Sequence, residues 1–130
     1  MISHKSLKAW QEAGWVTSTA IDLSRTHWKP YAQAIFSQLQ RASLSTQVNI
    51  AEGYSFTNTP TFARHLSIAY GSSIETGELL EMLGKKEIVP SEQIQDILKH
   101  CTNSQKLILG LLKRLKRNTK SPRTTLSTDL

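Results

Sequence analysis

Apolar residues return every three or four positions along most of this chain, the spacing of one face of an α-helix. Leu7, Trp10, Ala13, Val16, Ala20, Ile21 and Leu23 mark a first helix over about residues 5–26. Gly14 and the threonines lower its local propensity. Pro30 suits the first turn of a second helix, where its missing N–H costs nothing. Ile35, Phe36, Leu39, Ala42, Thr46, Ile50 and Gly53 then follow in steps of three and four, apart from the adjacent Ile35 and Phe36. Gly53 is expected to close that helix in a left-handed conformation. Asn58-Thr59-Pro60 offers an N-cap and a first-turn proline to a third helix. Its seam reads Phe62, Leu66, Ala69, Ser73, Thr76, Leu80 and Leu83, small and polar at the centre. Gly84 is expected to end it, with Lys85 and Lys86 at the negative end of the dipole. Val89-Pro90-Ser91 breaks the pattern, and Ile94, Ile97, Leu98, Cys101, Ile108, Leu111, Leu112 and Leu115 define a fourth helix. No β-branched run alternates with polar residues between turn signals, so no strand is predicted. The prediction is an all-α fold, an antiparallel up-down four-helix bundle with short connections.

Length and charge refine that picture. A chain of 130 residues fits one domain. The helical pattern assigns residues 1–117 to the bundle and 118–130 to a basic tail without period, expected to be disordered. Six of the sixteen lysines and arginines fall within residues 113–130, with one of the ten acids, which leaves +5 there. The other 112 residues carry the remaining +1. Such an arm attracts polyanions, or else only keeps the chain in solution. A single cysteine rules out an intrachain disulfide and fits a reducing compartment. No run approaches the ~18 apolar residues of a membrane span, and the first residues lack a signal-peptide pattern. A cytoplasmic protein without a membrane partner is expected.

Candidate chemistry is sparse. Glu75, Glu78 and Glu81 have no histidine three residues on, so the Glu-x-x-His pairs of di-iron bundles are missing. Asp96 and His100 share a helix face, which points more to a surface pair than to a metal site. Cys101 lies on the apolar stripe, where cysteines pack. His4, His27, His65 and His100 have no acid partner that local spacing would place as in a catalytic pair. There is no G-x-G-x-x-G or Walker sequence. Gly71, inside the third helix, is read as a close approach of two helices. Asn49 and Glu52 share one face of helix two. Glu52 sits where the dipole disfavours a negative charge, so it needs a partner, with Arg41, Arg64 or a backbone donor of another helix or subunit as candidates. Such a pair fixes helix register or a subunit contact.

Gln38-Leu39-Gln40-Arg41-Ala42-Ser43 followed by Val48-Asn49-Ile50-Ala51-Glu52-Gly53-Tyr54 resembles the "QLRRA…NIAEG" segment of the 23S rRNA-intervening sequence proteins. Ala69-Tyr70-Gly71-Ser72-Ser73-Ile74-Glu75-Thr76 is similar to a second segment of that family, and Leu7-Lys8-Ala9-Trp10-Gln11-Glu12-Ala13 to its first helix. Gln40 stands where the family often has a second arginine. The resemblance implies a small bacterial four-helix bundle, assembled as a homopentameric ring, with no enzymatic activity and no cofactor. It extends to the accessory variability protein of diversity-generating retroelements, a basic pentamer that binds a reverse transcriptase and nucleic acid. On this view Asn49, Glu52, Gly53, Gly71 and Glu75 are structural or interface residues. The leading expectation is a non-enzymatic oligomeric scaffold that binds RNA or DNA through Lys113, Arg114, Lys116, Arg117, Lys120 and Arg123, with Arg41. Removing residues 113–130 is then expected to lower binding sharply and spare the fold. The alternative is an adaptor that docks on a reverse transcriptase through Trp10, Trp15 or Trp28, with the tail incidental.

Overall fold

The computed structural model describes residues 3–56 and 58–119. Four helices account for nearly all of them: α1 (Lys8–His27), α2 (Gln33–Tyr54), α3 (Thr59–Lys85) and α4 (Ser91–Thr119). Short 3-10 turns precede α1 at His4–Ser6 and α2 at Pro30–Ala32. Each helix packs on the next, and α4 returns to α1; the diagonal pairs make no backbone approach. This is the antiparallel up-down bundle that the periodicity predicts.

The α3 start is as predicted. Asn58 Oδ1 accepts the Thr61 N–H at 2.9 Å, and Pro60 occupies the first turn. Three other expectations fail. Gly53 does not end α2; it lies inside the helix, which runs to Tyr54, and no described glycine has a positive φ. Its missing side chain serves packing instead. A Cβ there would meet His65 Cβ at 2.7 Å and Phe62 Cδ1 at 2.9 Å. Gly84 likewise lies within α3, against Ile94, and the left-handed residue of the following turn is Glu87, with φ of 55°. Gly71 is exposed, and a Cβ there would have nothing within 4 Å. The close approach expected at Gly71 is made at Gly53.

The interior has two apolar clusters. One gathers Val16, Leu23, Phe36, Leu39, Leu80, Leu83 and Ile97. The other gathers Leu7, Ile50, Phe62, Leu66, Ile108, Leu111 and Leu115. Between them lies a layer of small residues: Ser43, Thr46, Ser73, Thr76, Cys101 and Ser104. Burying hydroxyls costs little where each has a partner. Here Thr46 donates to Ala42 O, Thr76 to Ser72 O, Ser73 to Tyr70 O and Ser104 to Cys101 O. Thr17 donates to Ala13 O and also faces Ser43 O of α2 at 3.0 Å. Burial pushes the Cys101 thiol up to about 11, and its Sγ donates to Ser73 O. That thiol packs, as the sequence predicts.

Candidate nucleic-acid interface

The antiparallel order puts the start of α1, the end of α2, the start of α3 and the end of α4 at one end of the bundle. Lys5, Lys8, Arg64, Lys106, Lys113, Arg114, Lys116 and Arg117 therefore meet there, all exposed. The acids at that end are Glu12 and Glu52. The other end holds Asp22, Glu78, Glu81, Glu87, Glu92 and Asp96 against Arg25, Lys29, Lys85 and Lys86. The bundle is thus polarised along its axis, which local sequence reading did not reveal.

Both acids of the basic end are engaged by an imidazole. Glu12 Oε2 lies 2.6 Å from His100 Nδ1, and Glu12 Oε1 accepts from Asn103 at 3.3 Å. Trp15 stacks on the His100 ring at 3.8 Å. On the α2–α3 side, Asn49 Oδ1 faces His65 Nδ1 at 3.0 Å, and Glu52 Oε2 lies 3.9 Å from the same nitrogen. Phe56 stacks on His65. The Asn49 amide also donates to Ser45 O and reaches Ser45 Oγ. The expected partner for Glu52 is therefore His65, not Arg41 or Arg64, and His100 pairs with Glu12, not Asp96. These two histidines were missed because their partners lie on neighbouring helices. The one available signal was that His65 falls on the apolar face of α3, three residues after Phe62. Glu75, the remaining acid singled out, accepts from the Gln38 amide across the α2–α3 contact.

The outward side of α4 completes the face. No acid follows Asp96 among its described residues. Lys99, Lys106, Lys113 and Arg117 are exposed at steps of seven, seven and four, so they form one row. The opposite side carries buried Ile97, Cys101, Ser104, Ile108, Leu111 and Leu115. Favourable interaction with the helix dipole explains bases in the last turn. It does not explain Lys99 and Lys106, which lie several turns earlier. Shallow grooves flank the end of α4. One includes Lys8, Lys106, Leu107 and Arg114; the other includes Pro60, Leu112, Lys113 and Lys116.

The sequence-predicted bases divide accordingly. Lys113, Arg114, Lys116 and Arg117 sit on a continuous helix, not on a loose arm, and Leu115 among them is 1 % exposed. Cutting at residue 113 would remove part of the core. The disorder expected from residue 118 does not hold for Asn118 and Thr119, which complete α4; Lys120, Arg123 and the rest of the expected tail lie outside the described residues. Arg41 is exposed on α2 in a groove with Trp28 and Leu44. It is about 20 Å along the helix from the basic end, given a rise of ~1.5 Å per residue. The structure does not bring it to this face.

Large apolar side chains are exposed elsewhere. Trp15, Ile21 and Trp28 follow α1, Tyr31, Leu44 and Val48 follow α2, and Ile68, Ile74 and Met82 follow α3. Phe56 lies between α2 and α3, and none of the large exposed hydrophobics is on α4. Among the described residues no group of three His, Cys, Asp or Glu side chains is placed to hold a metal. No helix among them is long and apolar enough to cross a membrane.

Fold and face together define a small four-helix-bundle protein with one basic side and three partly apolar ones. Residues 5–110 match the 23S rRNA-intervening sequence protein family, and the chain belongs to it. It is also similar to a crystal structure of a protein of unknown function from the S23 ribosomal protein family of Bacteroides thetaiotaomicron. The two share 23 % identity with a TM-score of 0.75, over 81 % of this chain and 98 % of that one. That likeness supports the bundle fold. No curated protein matches.

Proposed function

We propose that the protein is a non-enzymatic cytoplasmic scaffold that binds nucleic acid through its basic end and the outer side of α4. It assembles with copies of itself through the apolar faces of α1 to α3, as a ring of five if it follows the resemblance. One observation carries this reading. The basic row Lys99, Lys106, Lys113 and Arg117 lies on α4, and the exposed large hydrophobics lie on α1 to α3 and their connections, so a polyanion on that row and a protein partner need not compete. Lysine and arginine contacts to phosphates release counterions, so binding falls steeply with salt. With about four phosphates neutralised, affinity should drop roughly a hundredfold between 50 and 200 mM salt. Fluorescence anisotropy with a structured RNA, together with native mass by light scattering, tests this. A flat salt response would remove the phosphate reading, and a monomer at all concentrations would remove the scaffold.

A second reading is an adaptor that docks on a larger enzyme such as a reverse transcriptase. It is favoured by Trp28 and Tyr31, which are 50 % and 79 % exposed on the acidic half of the molecule. Exposed aromatics are common anchors of protein contacts. Capture of such an enzyme that survives nuclease treatment would support it over nucleic-acid bridging.

A further inference from the structure

We infer that the nucleic acid taken by the α4 face is double-helical and is held along its backbone without reading base sequence. This rests on the nucleic-acid reading above.

The row lies on one unbroken helix. Lys99 to Arg117 spans 18 residues of unbroken helix, about 27 Å at ~1.5 Å per residue. A duplex of that length presents about eight base-pair steps of regularly placed phosphates, at ~3.4 Å per step on each strand. A row of charges on a continuous helix suits a regular partner, because neither backbone has to be ordered on binding. Gly110 lies in the row between Lys106 and Lys113 and adds no side chain to it.

Single strands are held differently. Sequence-tolerant single-strand sites pair a basic groove with aromatic rings on which bases stack, each worth ~1–3 kcal/mol. The α4 row has no such platform, because α4 contains no Phe, Tyr or Trp. The rings described near it already pack on other rings: Trp15 on His100, Phe56 on His65, Tyr54 on Phe62 and Trp10 on His4. Trp28 and Tyr31 belong to the other half of the bundle.

Base readout is also missing. Carboxamides read adenine edges, and arginine reads guanine when aimed into a groove. Within Lys99–Arg117 the two carboxamides turn inward. Asn103 donates to Glu12, and Gln105 donates to Ser73 O. The row is three lysines and one arginine, which position a backbone but carry no sequence information.

The test uses the full chain in anisotropy measurements at one fixed salt concentration. The probes are a 20-base-pair RNA duplex, a DNA duplex, a shuffled-sequence duplex of each kind, and an unstructured pyrimidine single strand. The expected result is at least tenfold tighter binding to duplexes than to the single strand, with shuffled sequences within about twofold. Lys106→Gln with Lys113→Gln should weaken duplex binding about tenfold, and Lys85→Gln at the acidic end should leave it unchanged. A circular-dichroism melt checks that each variant folds. Equal or tighter binding to the single strand, still lost in the double variant, would overturn the duplex assignment and leave the nucleic-acid reading intact. Duplex binding unaffected by the double variant would show that the row is not the site. No binding to any probe would remove the nucleic-acid reading itself.

Discussion

α4 and the three helices before it solve the surface problem in opposite ways. From Lys99 on, α4 is sharply divided, with aliphatic residues inside and bases, threonine and glycine outside. α1, α2 and α3 bury one stripe and expose a second set of large hydrophobics, nine of them along these helices and the turn into α2. A helix that packs only within its own bundle has no reason to carry a second apolar stripe. The difference separates a side suited to a solvated polyanion from sides suited to protein contact.

The strongest way to break that comparison is to charge the apolar side. Ser45 and Ser72 hydrogen-bond across α2 and α3, which sets Leu44, Val48 and Ile68 within about a turn of one another. Val48→Asp with Ile68→Asp should shift the native particle to single chains in light scattering, with the melting transition retained. An unchanged particle mass would mean that this side is not the contact.

Next in size is the inner side of α4. Leu115→Ala should cost about 2–5 kcal/mol of stability, since it leaves a cavity in the core. Lys113→Ala, two residues away and exposed, should change stability by less than ~0.5 kcal/mol. Denaturant melts of both variants test whether residues 113–117 belong to the bundle. Equal, small effects would return them to an arm.

Cys101 sharpens the same contrast through pH. Its thiol is raised from about 9 to about 11 by burial, so the folded state holds the proton more tightly than the unfolded chain. The stabilisation is full below pH 9 and is lost as pH rises towards 11. The loss should reach up to about 2–3 kcal/mol, from ~1.4 kcal/mol per pH unit. Cys101→Ala should be less stable at neutral pH but should lack this part of the alkaline decline. Parallel declines in the two proteins would contradict the buried-thiol account.

The smallest effects compare two glycines. Gly53→Ala forces a Cβ against His65 and Phe62 and should cost about 1–3 kcal/mol. Gly71→Ala meets open space on a helix and should gain about 0.5–1 kcal/mol. Opposite signs in a melt would confirm that one glycine serves packing and the other does not.

The four helices, their order and most residues of both apolar clusters were legible in the chain, though not Ala9, Ala32 or Val89. Those features follow from spacings of three and four along one strand of chain, and from local devices such as Asn58 and Pro60 at the start of α3. The sequence also carried a family motif centred on Asn49, Glu52 and Gly53, but not what those residues touch. Tertiary structure decided that Glu52 and Asn49 face His65, that Gly53 admits α3, and that Glu12 finds His100 from 88 positions away. It also turned a basic segment into a basic end, by bringing Lys5, Lys8 and Arg64 to the bases of α4. The physical reason is register. Periodicity states which side of a helix is buried, whereas the partner across an interface depends on how far two antiparallel helices slide past each other. No local pattern records that distance.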